Sequence, residues 1–453
     1  MKTLRLSLLI AIILSISIGS LFAGGFALSG IGSKAISLGG AFRGMANDPT
    51  AMYWNPAGLG FMEHSMINLS GAGIMPVTEF TNTTTQPGFD PDKLTATKKL
   101  WLFPNLYALK GGECKFKYGL GVYVPYGLGA EWDAFDLYSI TTMPVGANNL
   151  PITWAEGFEE KELMSSIGMV DIHPTFSYMF SDKFSAGFGV SVMYGMIEIK
   201  TIRPNAIAAL GYMYPTFYLP TAMELEGTGM GYGGNLGIMF KPVENLSIGI
   251  SGKIPIDVNL SGELKLRTYM NSVLAQGAPQ VVAFDTDADA TMKLPADIGM
   301  GWSMQVNPNW NLNMDVTYTM WDRLDKVVIE FEDDMQTQAG PVSESEMVMN
   351  WENTYRVSVG TEYRWPGLAL RAGFFFDETP IPDGSLTPIL PDTGDKYSAN
   401  VGWSYNLGKF IIDLNYEHMF FKEREIVVQT ADNMIGTYNN AVDAFNFGLT
   451  YPF

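Results

Sequence analysis

Three aspartates at alternate positions, Asp285, Asp287 and Asp289 in DTDAD, have the spacing at which a calcium loop places its first carboxylates. The sixth position is Ala290, where that loop needs glycine, so the segment reads as a solvated acidic loop. GMGYGG sets Gly229, Gly231 and Gly234 at dinucleotide-binding spacing, yet it enters a strand pattern and no helix follows. His64, His173 and His418 are scattered and no G-x-S-x-G elbow occurs, so a hydrolase would have to assemble its triad across loops. The expectation is no catalytic residue, no metal site and no cofactor. Arg356 and Arg371 are the residues with chemistry left to do. Each falls on the polar face of an alternating segment, opposite Val357 and Leu370. Such arginines pair with interior acids, here Asp315, Glu362 or Asp413, or receive a ligand carboxylate.

Composition narrows the setting. A net charge of −19 argues against nucleic acid and against charge-driven docking on anionic lipid. One cysteine, Cys114, excludes an intramolecular disulfide scaffold and falls in a short turn. The 27 methionines suit an adaptable apolar passage, although lipid-facing strands would use them equally well. Lys2 and Arg5 followed by the run of apolar residues and serines from Leu6 to Ile18 read as a secretory leader, residues 1–23, cleaved after Ala23, with Gly25-Phe26-Ala27 as a second candidate. Beyond it no run of 18 apolar residues occurs, so any membrane span must be made of strands.

Those strands are legible from residue 66 onward as fourteen segments of period two. In one, Phe184, Ala186, Phe188, Val190, Val192 and Tyr194 share a face while Ser185, Gly187, Gly189 and Ser191 share the other. The last alternates Phe445, Phe447, Leu449, Tyr451 and Phe453 with Asn446, Gly448, Thr450 and Pro452. Short connections near 110–114, 181–183, 241–245, 306–310, 365–366 and 407–409 alternate with long ones, near 75–100, 126–170, 200–227 and onward. A transmembrane antiparallel barrel sorts its loops in this way and a soluble sandwich has no reason to. The expected fold is therefore all-β, a barrel over residues 65–453.

A barrel of that size encloses more space than its side chains fill. Residues 24–64 are glycine-rich and do not alternate, and they are expected to form a hatch, or plug, in the lumen. Asn55-Pro56-Ala57 within it favours a tight turn. Pro125-Tyr126-Gly127 ends the third strand with a residue that cannot donate to a ladder and one that weakens it, which fits either a rim turn or a break in pairing.

The chain resembles the FadL family of outer-membrane transporters for long-chain fatty acids and other hydrophobic compounds, which includes aromatic-hydrocarbon channels. The resemblance spans nearly all of the mature chain. It is carried by Gly25-Phe26-Ala27-Leu28, Asn47-Asp48-Pro49 and Asn55-Pro56-Ala57, and by LPADIGMGWS from 294, DVTYTMWDRLD from 315, NTYRVSVGTEYR from 353 and LRAGFFFDETPIPDGSLTPILPD from 370. It implies fourteen strands, a hatch that includes Phe26, Leu28, Asn55, Pro56 and Ala57, and sideways exit through a kink at Pro125, Tyr126 and Gly127. Two basic pocket positions of the best-known fatty-acid member fall near Met196 and Glu352, so its carboxylate site does not carry over.

The expected function is passive uptake of hydrophobic small molecules, most of all long-chain fatty acids, across the outer membrane of a Gram-negative-type bacterium. Aromatic or alkane hydrocarbons are the alternative cargo. A structural or surface-recognition barrel and an outer-membrane hydrolase are the more distant alternatives. The partners expected are the ligand, outer-membrane lipid and lipopolysaccharide, and the barrel-assembly machinery.

Overall fold

The computed structural model describes residues 25, 27–83, 93–133, 162–207, 217–270, 272, 280–337, 340–390, 392–430 and 432–453. The expected leader with its cleavage point, and Phe26, lie outside the described residues.

Twenty strand segments form one sheet. In chain order they are β1 (Met66–Asn82), β2 (Lys93–Thr95), β3 (Trp101–Lys110), β4 (Phe116–Asp133), β5 (Glu162–Ser181), β6 (Phe184–Ile207) and β7 (Phe217–Val243). Next come β8 (Leu246–Ile254), β9 (Ile256–Met270), β10 (Gln280–Leu294), β11 (Ala296–Asn307), β12 (Trp310–Met320), β13 (Lys326–Thr337) and β14 (Gly340–Val348). The rest are β15 (Thr354–Trp365), β16 (Leu368–Asp377), β17 (Lys396–Asn406), β18 (Ile411–Phe421), β19 (Arg424–Ile426) and β20 (Gly436–Pro452). Pro255 and Pro295 split two long strands into β8 and β9 and into β10 and β11, and β12/β13 and β14/β15 are interrupted likewise. Counting each of these as one wall element, and β2 and β19 as additions, gives fourteen antiparallel strands. β1 pairs with β20 from Met66↔Pro452 to Asn82↔Gly436 and closes the barrel. Closure is required because a sheet edge in hydrocarbon would leave backbone groups unsatisfied.

The alternation expected from the sequence sets the wall's two faces. On β20, Phe445, Phe447 and Tyr451 are exposed outward while Asn446, Gly448 and Thr450 are buried inward. Toward the long-loop end, which is the extracellular one in an outer-membrane barrel, the pattern inverts. Phe188, Val190 and Tyr194 of β6 point outward, but higher up Ile197 and Ile199 are buried and Glu198 and Lys200 take the outer face. β9 is inverted throughout, with Ile256, Val258, Leu260 and Leu264 inside and Asp257, Asn259, Ser261 and Glu263 outside. The solvent outside has changed from lipid to water, so the apolar face turns in. This is why much of what the sequence suggests as long loops at 200–227 and 261–293 is strand: β6 runs to Ile207, β9 to Met270, and β10 begins at Gln280.

DTDAD corrects the expectation of an acidic loop, since it lies within β10 with its aspartates on the water-facing side. Arg267 donates from Nη2 to Asp285 Oδ2 at 3.0 Å and holds that carboxyl below the usual carboxylate range. Among the described residues no group of three or more His, Cys, Asp or Glu is arranged to hold a metal.

Residues 27–62 pack against the inward side of the short-turn half of the wall and are almost all buried. They carry two short helices, α1 (Ser33–Ser37) and α2 (Ala51–Trp54), and a 3-10 turn at Pro56–Phe61. Close approach relies on missing side chains, as at Gly373, where an added Cβ would lie 2.1 Å from Gly39 N and 2.2 Å from the Leu38 carbonyl carbon. Thr50 is only 2% exposed. A cysteine placed there, with exposed Cys114 replaced by serine, is expected to resist a bulky periplasmic thiol reagent. Adding Gly373→Val should make it react while the barrel stays folded by heat-modifiability on gels. Reaction without Gly373→Val would refute the packing of this segment in the lumen.

Candidate functional site

The interior has two characters. Its extracellular half is an apolar core to which strands and loop contribute together, including Ile167, Ile197, Leu260, Met292, Ile329 and Leu390. An apolar cavity lies within it. The loop between β16 and β17 closes over it. Trp132 Nε1 donates to Pro388 O at 3.0 Å, Ser165 Oγ to Ile389 O at 2.5 Å, and Ser385 Oγ to Met349 O at 2.6 Å. Two residues on from Leu390 the same loop presents Asp392, fully buried, whose Oδ2 accepts from Gly25 N and from Lys396 Nζ, both at 2.6 Å.

Below this core, against the N-terminal segment, lies a second cavity with polar walls. Arg43, Lys253 and Arg356 line it together with Asp297, Asp377 and Tyr126. Arg43 is the buried hub: its guanidinium reaches Asp297 at 3.2 Å, Thr317 Oγ1 at 2.7 Å and Ser251 Oγ at 3.0 Å, and its backbone N–H donates to Asp315 at 2.8 Å. Lys253 is 3.3 Å from Asp297 and stands over the Tyr53 ring at 3.8 Å. Sequence reasoning missed Arg43. The available signal was a strong base inside a segment with no lipid-facing stripe, which has to find interior partners.

The two predicted arginines separate. Arg371 is tied to Glu362 at 2.6 Å and Asp413 at 3.2 Å, all three buried, and so is a structural ion pair. Arg356 stacks on Phe375 at 3.8 Å and donates to Gly39 O at 3.3 Å, with no carboxylate within 4 Å among the described residues. Its guanidinium remains available to the cavity. Met196 lies on the outer face of β6 and Glu352 is exposed, so neither lines the two cavities.

Asn55-Pro56-Ala57 is an anchor. Asn55 Oδ1 accepts from Ala57 N at 3.1 Å to start the 3-10 turn, and Asn55 Nδ2 donates to Arg43 O at 3.0 Å and to Ile238 O of β7 at 3.2 Å. Ala57 O accepts from Ser185 Oγ of β6 at 2.6 Å. All three residues are buried and away from both cavities.

Pro125, Tyr126 and Gly127 stand at an interruption in the wall. β3 and β4 pair only from Lys110↔Tyr118 to Leu106↔Val122, so Trp101–Asn105 have no partner on β4, although β4 continues along β5 to Asp133↔Glu162. The β4–β5 register shifts between Tyr123 and Tyr126, which skips Val124 and Pro125. Substitutes meet the freed groups: Asn105 Oδ1 accepts from Val124 N at 3.2 Å, Leu28 N donates to Pro125 O at 3.1 Å, and Ala27 bridges Tyr126. Leu28 packs with Trp101, Phe103 and Val124 and fills the gap from within. Beyond the shift Tyr126 and Ala130 face inward, and Gly127 and Gly129, both buried, alternate with them and add no bulk.

His173 does not form a hydrolytic triad. His173 Nδ1 is 3.2 Å from Asp171 and 3.0 Å from Ser191 Oγ, so acid and hydroxyl share one ring nitrogen, whereas a triad needs them on opposite nitrogens.

The model of the outer membrane protein transport protein family (OMPP1/FadL/TodX) matches residues 14–143 and 152–453. A long-chain fatty acid transport protein of Escherichia coli O6:H1 is 20% identical over 424 residues, with 89% of this chain and 88% of that protein covered. A Pseudomonas aeruginosa FadL homologue of known structure superposes with a TM-score of 0.75 at 19% identity, over 95% of this chain and 100% of the other. The Pseudomonas putida toluene transporter TodX gives 0.72 at 17% identity, over 94% and 99%. The chain is thus a closed β-barrel of the outer membrane and no enzyme, and it belongs to the OMPP1/FadL/TodX family of transporters for hydrophobic compounds.

Proposed function

We propose that this transporter takes up long-chain fatty acids passively, from the apolar upper cavity through the charged lower one and out sideways between β3 and β4, with residues 24–64 as the hatch. The observation that supports it is the lapse of pairing at Trp101–Asn105, filled by Leu28 and bordered by Gly127 and Gly129. Energetics favour a sideways route. Carrying a sixteen-carbon chain into periplasmic water exposes about fifteen methyl or methylene groups at ~0.8 kcal/mol each, roughly 12 kcal/mol in all. An opening in the wall leaves a few backbone groups unpaired at several kcal/mol each, and here Asn105 and the Leu28 amide already meet some of that need. Gly127→Val with Pro125→Thr should abolish uptake in a correctly inserted, heat-stable barrel. Normal uptake by that variant would sink the sideways route.

The guanidinium of Arg356, in the lower cavity with no carboxylate within 4 Å among the described residues, supports a carboxylate head on the cargo. Replacing it by Met should weaken fatty-acid binding by roughly 1.5 to 3 kcal/mol, the usual worth of a hydrogen bond to a charged group, with toluene binding unchanged. Arg371→Met should instead destabilise the barrel by about 3 to 5 kcal/mol, because Glu362 and Asp413 lose their buried partner. Isothermal titration with oleate and toluene and denaturant melts of the two variants separate these roles. Equal losses of both ligands in Arg356→Met would indicate a structural role in the lumen and refute the head-group contact.

A further inference from the structure

In a chain of net charge −19, the short segment DKLTATKKLW carries three lysines, Lys93, Lys98 and Lys99. Residues 93–101 of it run across the extracellular end of the gap between β3 and β4. Ala96 N donates to Thr78 O of β1 at 2.9 Å, and Thr97 N donates to Glu131 O of β4 at 2.8 Å, so backbone spans the gap just above the unpaired residues. Lys99 Nζ repeats that crossing by donating to Glu131 Oε2 at 3.1 Å, and it sits 4.4 Å from the centre of the Trp101 ring. Lys93 is paired with Glu79 at 2.7 Å, whereas Lys98 is exposed and has no carboxylate within 4 Å among the described residues.

The height of this segment gives it a chemical role. The 10 residues of β3, at about 3.3 Å rise and a tilt near 40°, span roughly 25 Å, the thickness of the apolar band of such a barrel. Leu100 and Leu102, 55% and 50% exposed, are the last apolar residues on the outer side, and the lysines follow directly. A long-chain amphiphile passing between β3 and β4 can give its tail to the hydrocarbon, but its charged head is held back at the interface by the cost of desolvation. The lysines stand where that head must stop. Lys99 is 46% exposed and its bond to Glu131 is of the weak, exchangeable surface kind.

We propose that Lys99, flanked by Lys98, is an exit-side site for the anionic head of a long-chain amphiphile, the head replacing Glu131 on Lys99 as the tail enters the membrane. The inference rests on the sideways route proposed above. It adds a second head-group contact, outside the lumen, and makes release selective for charged over uncharged cargo.

The test compares uptake of radiolabelled oleate and toluene by deletion cells carrying Lys98→Met/Lys99→Met, Glu131→Gln, or the gap-sealing pair Gly127→Val/Pro125→Thr, alongside oleate association with each purified protein. The double lysine variant should slow oleate uptake about three- to ten-fold, the worth of one or two exposed ion pairs, and leave toluene uptake and the oleate association rate unchanged. Glu131→Gln should leave oleate uptake equal or faster. Unchanged oleate uptake in the lysine variant, with the sealed variant inactive, overturns the exit site alone. Equal slowing of oleate and toluene also overturns it, because the segment would then be only a structural strap. A fall in association rate matching the fall in uptake would make the lysines an entry site, and this too refutes the proposal. Full activity of the sealed variant removes the sideways route and the exit site together.

Discussion

Backbone amides and carbonyls cannot be left unpaired in hydrocarbon, and nearly everything in this molecule follows from meeting that requirement or managing a local failure to meet it. Continuous pairing from β1 round to β20 closes the wall. Where pairing lapses beside Trp101–Asn105, an asparagine side chain and the Leu28 amide take over, so the N-terminal segment is part of the wall's own hydrogen bonding. The charged interior serves the same end. Asp392 receives Gly25 N, and Asp315 receives Phe42 and Arg43 N–H groups, so interior carboxylates hold the segment's backbone in place.

The lumen is divided into an apolar upper part and a polar lower one. On the route proposed above, a long apolar molecule meets the apolar cavity among Ile197, Leu260 and Met292 before the cations that line the lower one. Arg43 and Lys253 are already engaged by Asp297, whereas Arg356, with Asp377 as its cross-strand neighbour, has no carboxylate within 4 Å among the described residues.

The strand count, loop rhythm and facing of segments such as Phe184 to Met196 were legible because period-two alternation against lipid leaves an unambiguous stripe. Strand lengths were not legible, because above the membrane the apolar stripe changes sides and a polar outer face resembles loop composition, as it does in DTDAD. The break at Pro125 could be read from proline and glycine, but which neighbour it would lose could not. That depends on the register shift at Tyr123 and on where β3 ends, both non-local. The partners of Arg371 were within the predicted set, Glu362 and Asp413. Arg43 was hidden because a single charge in an irregular segment gives no period to follow.

The inversion of the wall on β6 and β9 divides the barrel into two bodies that answer to different solvents. The lower body presents its apolar side chains to lipid and buries polar ones, so water contributes little to its cohesion. The upper body has an interior of isoleucine, leucine and methionine surrounded by water, as in a soluble β-barrel. Its cohesion carries the heat-capacity signature of apolar hydration, weakening on cooling and under urea. The collar above the membrane and the belt within it therefore differ in how they respond to temperature and denaturant, although they share the same strands.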